Sequence, residues 1–168
     1  MVRLMKRQDI PFFNGVRNEC SKFLHDNSTH TLSEAKKWFI AKGDKDPFFI
    51  YELGGELIGY FRTSNWGDDN CYIGMDMHKD YRGKKLAIDA YHEFMQYLTE
   101  NYNIMIFKLE VLRYTNYRAY NLYKKLGFKE IDRETFTDHY SLALGELWTD
   151  INITMELNTY TEIYNNYG

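Results

Sequence analysis

Residues 71–131, CYIGMDMHKDYRGKKLAIDAYHEFMQYLTENYNIMIFKLEVLRYTNYRAYNLYKKLGFKEI, decide the fold. Residues 71–78 alternate as a strand, and 80–85 form a short basic turn. Residues 86–101 carry a helical pattern, 104–112 form a second strand, and Gly127 stops a further helix. The two strands lie too far apart in sequence for a hairpin, so they should pair side by side in parallel, bridged by the first helix. The turn entering that helix offers backbone N–H groups together with Arg82, Lys84 and Lys85, a place suited to a phosphate.

The bulk composition narrows what can surround this stretch. A chain of 168 residues has the size of one ordinary domain, and no repeat, low-complexity tract or linker divides 1–168. With 44% hydrophobic and 27% charged residues it reads as a globular protein that dissolves in water. A formal charge of −3 gives no reason to expect nucleic acid as the main partner. Cys20 and Cys71 form neither a metal spacing nor a disulfide framework and read as structural thiols in a reducing compartment. No signal-length or membrane-length apolar run is present, so a cytoplasmic location with no membrane association is expected.

Upstream, residues 1–6 alternate weakly as a first strand. Asp9 is placed to cap a helix that starts near Pro11 and buries Phe12, Phe13, Val16, Cys20, Phe23 and Leu24. Thr31 and Glu34 have the spacing of a capping box, and Gly43 closes the second helix. Residues 48–53 and 56–62 flank Gly54-Gly55 as a hairpin. Downstream, a strand starts at 128–132, residues 133–149 read as an irregular segment, and 150–158 alternate as a last strand. The polar, tyrosine-rich tail from 159 is expected to fray. The five histidines show no metal spacing.

Two motifs follow in order, Arg82-Gly83-Lys84-Lys85-Leu86-Ala87 and then Leu109-Glu110-Val111 through Leu126-Gly127-Phe128, and together they resemble the GNAT family of N-acetyltransferases. The family's turn, Gln or Arg, two residues, Gly, one residue, then Gly or Ala, is similar to Arg82-Gly83-Lys84-Lys85-Leu86-Ala87, with Lys85 where the family has Gly. Its second signature is matched by Leu109-Glu110-Val111, Asn116, Ala119, Leu122-Tyr123 and Leu126-Gly127-Phe128. The resemblance implies an α/β (α+β) fold. It would have a mixed, mostly antiparallel twisted sheet of six to seven strands, about four flanking helices and a splayed central parallel pair. It implies acetyl-CoA as co-substrate, gripped by the backbones of Met75 and Met77, by the turn Arg82, Gly83, Lys84, Lys85, Leu86 and Ala87, and by Asn116. Tyr123 takes the position of the acid that protonates the leaving thiolate; a phenol pKa near 10 is close enough to a thiol's ~8.5 for that task. Glu110 takes the position of a base that works through water in some members, with Asp76 as the second candidate.

The pattern Arg17-Asn18, a Ser/Thr-rich loop, then Trp38-Phe39 resembles the branch that holds amino-sugar and ribosomal-protein N-terminal acetyltransferases. The implied acceptor is therefore a primary amine on a small molecule, a nucleotide-linked amino sugar among them, with a peptide N-terminus as the alternative. A module that binds acyl-CoA without turnover is the rival from another class. Aromatics in the C-terminal part leave room for a homodimer.

Overall fold

The computed structural model describes residues 1–83, 85–141 and 146–161, with side chains at all of these except 137–141 and 146–148. In chain order these form β1 (Val2–Leu4), α1 (Ile10–Cys20), α2 (Leu32–Lys42), β2 (Phe49–Leu53), β3 (Glu56–Ser64), β4 (Asn70–Met77), α3 (Leu86–Tyr102), β5 (Ile106–Leu112), α4 (Tyr117–Lys125), β6 (Lys129–Ser141) and β7 (Glu146–Asn158). The seven strands make one sheet in the order β1-β2-β3-β4-β5-β7-β6. Every neighbour is antiparallel except β4 and β5, the parallel pair that α3 bridges. The mixed sheet and its single parallel pair are as the motifs implied.

Strand alternation sends side chains to two faces with different fillings. Phe49, Phe61, Phe107 and Leu109 join Tyr91, Phe94 and Leu98 of α3 in the larger core. Phe61 stacks on Phe94 with centroids 4.0 Å apart and 10° between planes. The opposite face puts Ile50 and Tyr60 against Phe13, Val16 and Cys20 of α1 in a smaller cluster. Each such aromatic side chain, fully buried, contributes ~1.5–3 kcal/mol by area removed from water, so the α3 face carries more of the stability.

The helix ends follow local chemistry. Thr31 Oγ1 accepts from the Glu34 N–H at 3.2 Å, and Glu34 accepts from the Thr31 N–H at 3.1 Å, the expected capping box. Gly43 follows α2 at φ +57° and Gly127 follows α4 at φ +98°, conformations that favour glycine. Asp9 differs from its expected part. Its side chain makes no cap hydrogen bond. It instead takes both Nη atoms of Arg3 at 2.8 and 2.9 Å and the Lys6 N–H at 2.8 Å, tying β1 to the turn before α1.

Within the expected irregular segment 133–149, residues 133–141 and 146–149 are corrected to strand: β6 continues through Ser141 and β7 begins at Glu146. Register shifts at Glu130/Asp132 and Phe136/His139 break the two-residue alternation, which is why the pattern was unreadable. The side chains of Asp138, His139, Tyr140 and Trp148 and the tail 162–168 lie outside the described residues.

Candidate active site

The parallel pair is short. β4 and β5 match only at Asn70↔Ile106, Cys71↔Phe107 and Tyr72↔Lys108. Beyond Tyr72, β4 stays paired with β3 as far as Gly59↔Met77, while β5 stays with β7 as far as Leu112↔Asn152. The strands therefore part and leave a gap inside the sheet. The His78 N–H reaches the Ile58 carbonyl at 2.9 Å. By the alternation of an antiparallel ladder, Asp76, Gly74 and Tyr72 then turn their amides toward β3; the Ile73 amide closes the last bridge to β5 at Lys108, and those of Met75 and Met77 face the gap. The Met77 carbonyl already accepts from Arg82 Nε at 3.0 Å, so Met75 is the freer partner for an incoming chain. An extended, amide-bearing arm such as that of coenzyme A fits a gap edged by such groups.

The turn before α3 is shaped by backbone. Gly83 lies at φ +74° and Lys85, the N-cap of α3, at φ +61°. The family's glycine at this position thus answers a left-handed backbone, which lysine adopts at a cost. No side chain caps the helix there, so the N–H groups of Leu86, Ala87 and the residue after them face outward at the positive end of the helix dipole. Arg82 does not reach outward: its Nη2 donates to Cys20 Sγ at 3.2 Å and stands 3.9 Å from Glu19, so it fastens the turn to α1. Lys84 lies outside the described residues.

Tyr123 of α4 is 5% exposed. The Tyr91 hydroxyl donates to its oxygen at 3.2 Å, which leaves the Tyr123 O–H to donate elsewhere. Burial raises the Tyr123 pKa above the usual phenol value, against the Tyr91 hydrogen bond and the nearby Arg62 charge, so the side chain stays protonated at neutral pH. It lines a cavity of about 490 Å³ together with Glu110, Tyr72, Arg62 and Trp38. Asn116 begins α4 with φ −120° and ψ 48° and spends no side-chain hydrogen bond on the helix end.

Glu110 is exposed on β5, with Asn152 Nδ2 3.5 Å from its Oε2. Asn152 Oδ1 in turn is 2.7 Å from His25 Nε2, so a polar line leads from β5 across β7 to the segment after α1. Neither His25 nor Asn152 belongs to a sequence motif. Asp76 is 5% exposed and accepts from the Tyr60 hydroxyl, with Arg62 Nε 3.6 Å away. Its oxygen is already taken by that hydroxyl, whereas Glu110 lines the open cavity. Asp150, which belongs to no sequence motif, is fully buried and accepts the N–H groups of Tyr114, Thr115 and Ile151 at 3.0, 2.9 and 2.7 Å. It fixes the β5–α4 turn that carries Asn116. Burial opposes its charge, but these hydrogen bonds outweigh that and lower its pKa.

Arg17 and Asn18 are also placed. Arg17 donates to the carbonyls of Ser28 and Asp26 at 3.3 and 3.1 Å, and Asn18 exchanges hydrogen bonds with the His30 backbone at 2.8 and 2.9 Å. The pair pins the loop between α1 and α2.

A parted central strand pair, an uncapped helix turn beside it and a buried tyrosine on the far wall define a fold built to hold an extended thioester cofactor. Residues 13–128 match the family described as Acetyltransferase (GNAT) family, and the chain belongs to it. An N-alpha-acetyltransferase of Sulfurisphaera tokodaii is 33% identical over 96 residues, covering 50% of this chain and 57% of that relative; the match thus spans little more than half of the relative's length. Among solved structures, a spermidine N-acetyltransferase from Vibrio cholerae in complex with CoA and spermine superposes with a TM-score of 0.81 at 16% identity, covering 97% of each chain. The ribosomal-protein-alanine N-acetyltransferase of Brucella melitensis gives 0.72 at 15% identity, covering 94% of this chain and 99% of that one. At these identities the two structures establish the fold.

Proposed function

We propose that the chain is an acetyl-CoA-dependent N-acetyltransferase that passes the acetyl group directly to a primary amine. The observation that carries this reading is the Tyr123 hydroxyl, held by Tyr91 and lining the cavity beside the parted strands. Acetyl-CoA supplies the activated acyl group. Backbone groups of Met75 and Met77, the N–H groups of Leu86 and Ala87 with Gly83 and Lys85 beside them, and the side chain of Asn116 hold it. Arg82 braces the turn. Glu110 takes the ammonium proton through water, and Tyr123 returns a proton to the departing thiolate. The amine attacks the carbonyl directly, and no covalent acyl-enzyme is needed.

For acceptor we carry forward a small primary amine in the cytoplasm. Arg17 and Asn18, which suggested an amino sugar, are engaged in holding the α1–α2 loop and no longer single out that compound. The likeness to an N-alpha-acetyltransferase over 96 residues favours a second reading, the α-amine of a peptide. The test is free-thiol release from acetyl-CoA with amines and short peptides, comparing wild type with Tyr123→Phe. Turnover that falls about hundredfold with unchanged CoA affinity supports the acid role; turnover equal to wild type sinks it.

A further inference from the structure

Arg62 stands on β3 directly across from Gly74 on β4. A Cβ added at Gly74 would lie 2.7 Å from Arg62 Nη2 and 3.0 Å from its Cζ, so the guanidinium occupies the room a side chain would fill. Asp76 lies 3.6 Å from Nε, beyond hydrogen-bonding distance, and the same carboxylate oxygen takes the Tyr60 hydroxyl. Asp76 therefore balances the charge of Arg62 without engaging its donors. Among the described residues no N–H of Arg62 has a hydrogen-bond partner, and Nε is buried without one. Yet 38% of the side-chain surface is open. Arg62 lines the larger cavity and also a second one of about 250 Å³ between α1 and α2, and the two cavities share Trp38 and Phe48 as well.

A guanidinium seated on a glycine with its donors unspent suits a planar or tetrahedral oxyanion, which it can grip with two parallel hydrogen bonds. The cavity also holds two ammonium groups, Lys42 and Lys45, against two carboxylates, Asp46 and Glu110. The Lys42 ammonium is packed over Trp38 and Phe48 at 5.6 and 5.3 Å from the ring centroids. A polycationic acceptor would bring further ammonium groups against Arg62 and Lys42.

We infer that Arg62 recognises an oxyanion on the acceptor, so that the acceptor is a primary amine that also carries a carboxylate or a phosphate. This rests on the transferase reading above. Matched acceptors test it: O-phosphoethanolamine against ethanolamine, β-alanine against ethylamine, and spermidine as the polycation. kcat/KM from thiol release is measured for wild type, Arg62→Met, Arg62→Lys and Gly74→Ala, and calorimetry on the CoA-saturated protein gives binding of the same compounds. The anionic member of at least one pair is expected to win by about tenfold or more in wild type. Arg62→Met abolishes that preference, Arg62→Lys keeps part of it, and Gly74→Ala weakens it by pushing the guanidinium off its seat. Which pair responds tells phosphate from carboxylate. Equal use of both members of each pair overturns the inference, as does a preference for spermidine. A loss in Arg62→Met that is uniform across all amines also overturns it, because Arg62 would then serve Tyr123 alone. Should neither these compounds nor the short peptides release thiol, the transferase reading fails, and the calorimetric preference, or its absence, still decides the role of Arg62.

Discussion

The two faces of the sheet are built for different purposes. On the α3 side, Phe49, Phe61, Phe94 and Leu98 are fully buried, and the motifs that mark the family lie along the elements packed there. On the α1–α2 side the apolar cluster is smaller, two cavities open, and Trp38 is 41% exposed. On the proposed reading, one face stabilises the fold and presents the cofactor side, and the other leaves surface uncovered for an acceptor. The gap between β4 and β5 is where they meet.

Substitutions can break or sharpen that division. Phe94→Ala should lower the unfolding free energy by ~3–5 kcal/mol in urea titrations, whereas Trp38→Ala should cost about 1 kcal/mol or less and raise the acceptor KM instead. Similar stability losses in both would erase the contrast. Tyr123→Phe removes one hydroxyl from the stabilising face and should reduce turnover by about hundredfold, ~2.7 kcal/mol, with the fold intact by circular dichroism. Asp150→Asn should cost ~1–3 kcal/mol, since three backbone N–H groups lose a charged acceptor. Because the folded pKa of Asp150 is lowered, its contribution is complete above the ordinary carboxylate range and disappears as pH falls through the folded value. The acid limb of a stability–pH curve should therefore be shallower in Asp150→Asn than in wild type. The smallest effect is expected of Lys85→Gly. Relief of the left-handed backbone should add ~1 kcal/mol at most, and CoA affinity should stay within about tenfold. A hundredfold gain in affinity would mean that the native turn is a damaged phosphate cradle.

Much of this was legible because its causes are local. The capping box at Thr31 and Glu34, the Gly54-Gly55 hairpin and the strand–helix–strand unit around α3 each follow from a few adjacent residues. Tyr123 stood out from Tyr117 and Tyr120 only through the frame of the motif around it. What escaped notice depends on partners distant in sequence. Arg62 gains meaning from Gly74 and Asp76 across the ladder, and an arginine directly after the apolar run 57–61 was the available hint. Asp150 serves a turn 35 residues earlier. The arms of β6 and β7 were hidden by two register shifts.

The three-pair contact between β4 and β5 leaves Met75 and Met77 on what amounts to an internal edge, a ladder lacking its next strand. A bound pantetheine would complete that ladder as a surrogate strand, protected from the sheet-to-sheet association that open edges invite. Ligand occupancy should therefore appear first as slowed amide hydrogen exchange at Met75, while the ladder between β3 and β2 exchanges at an unaltered rate.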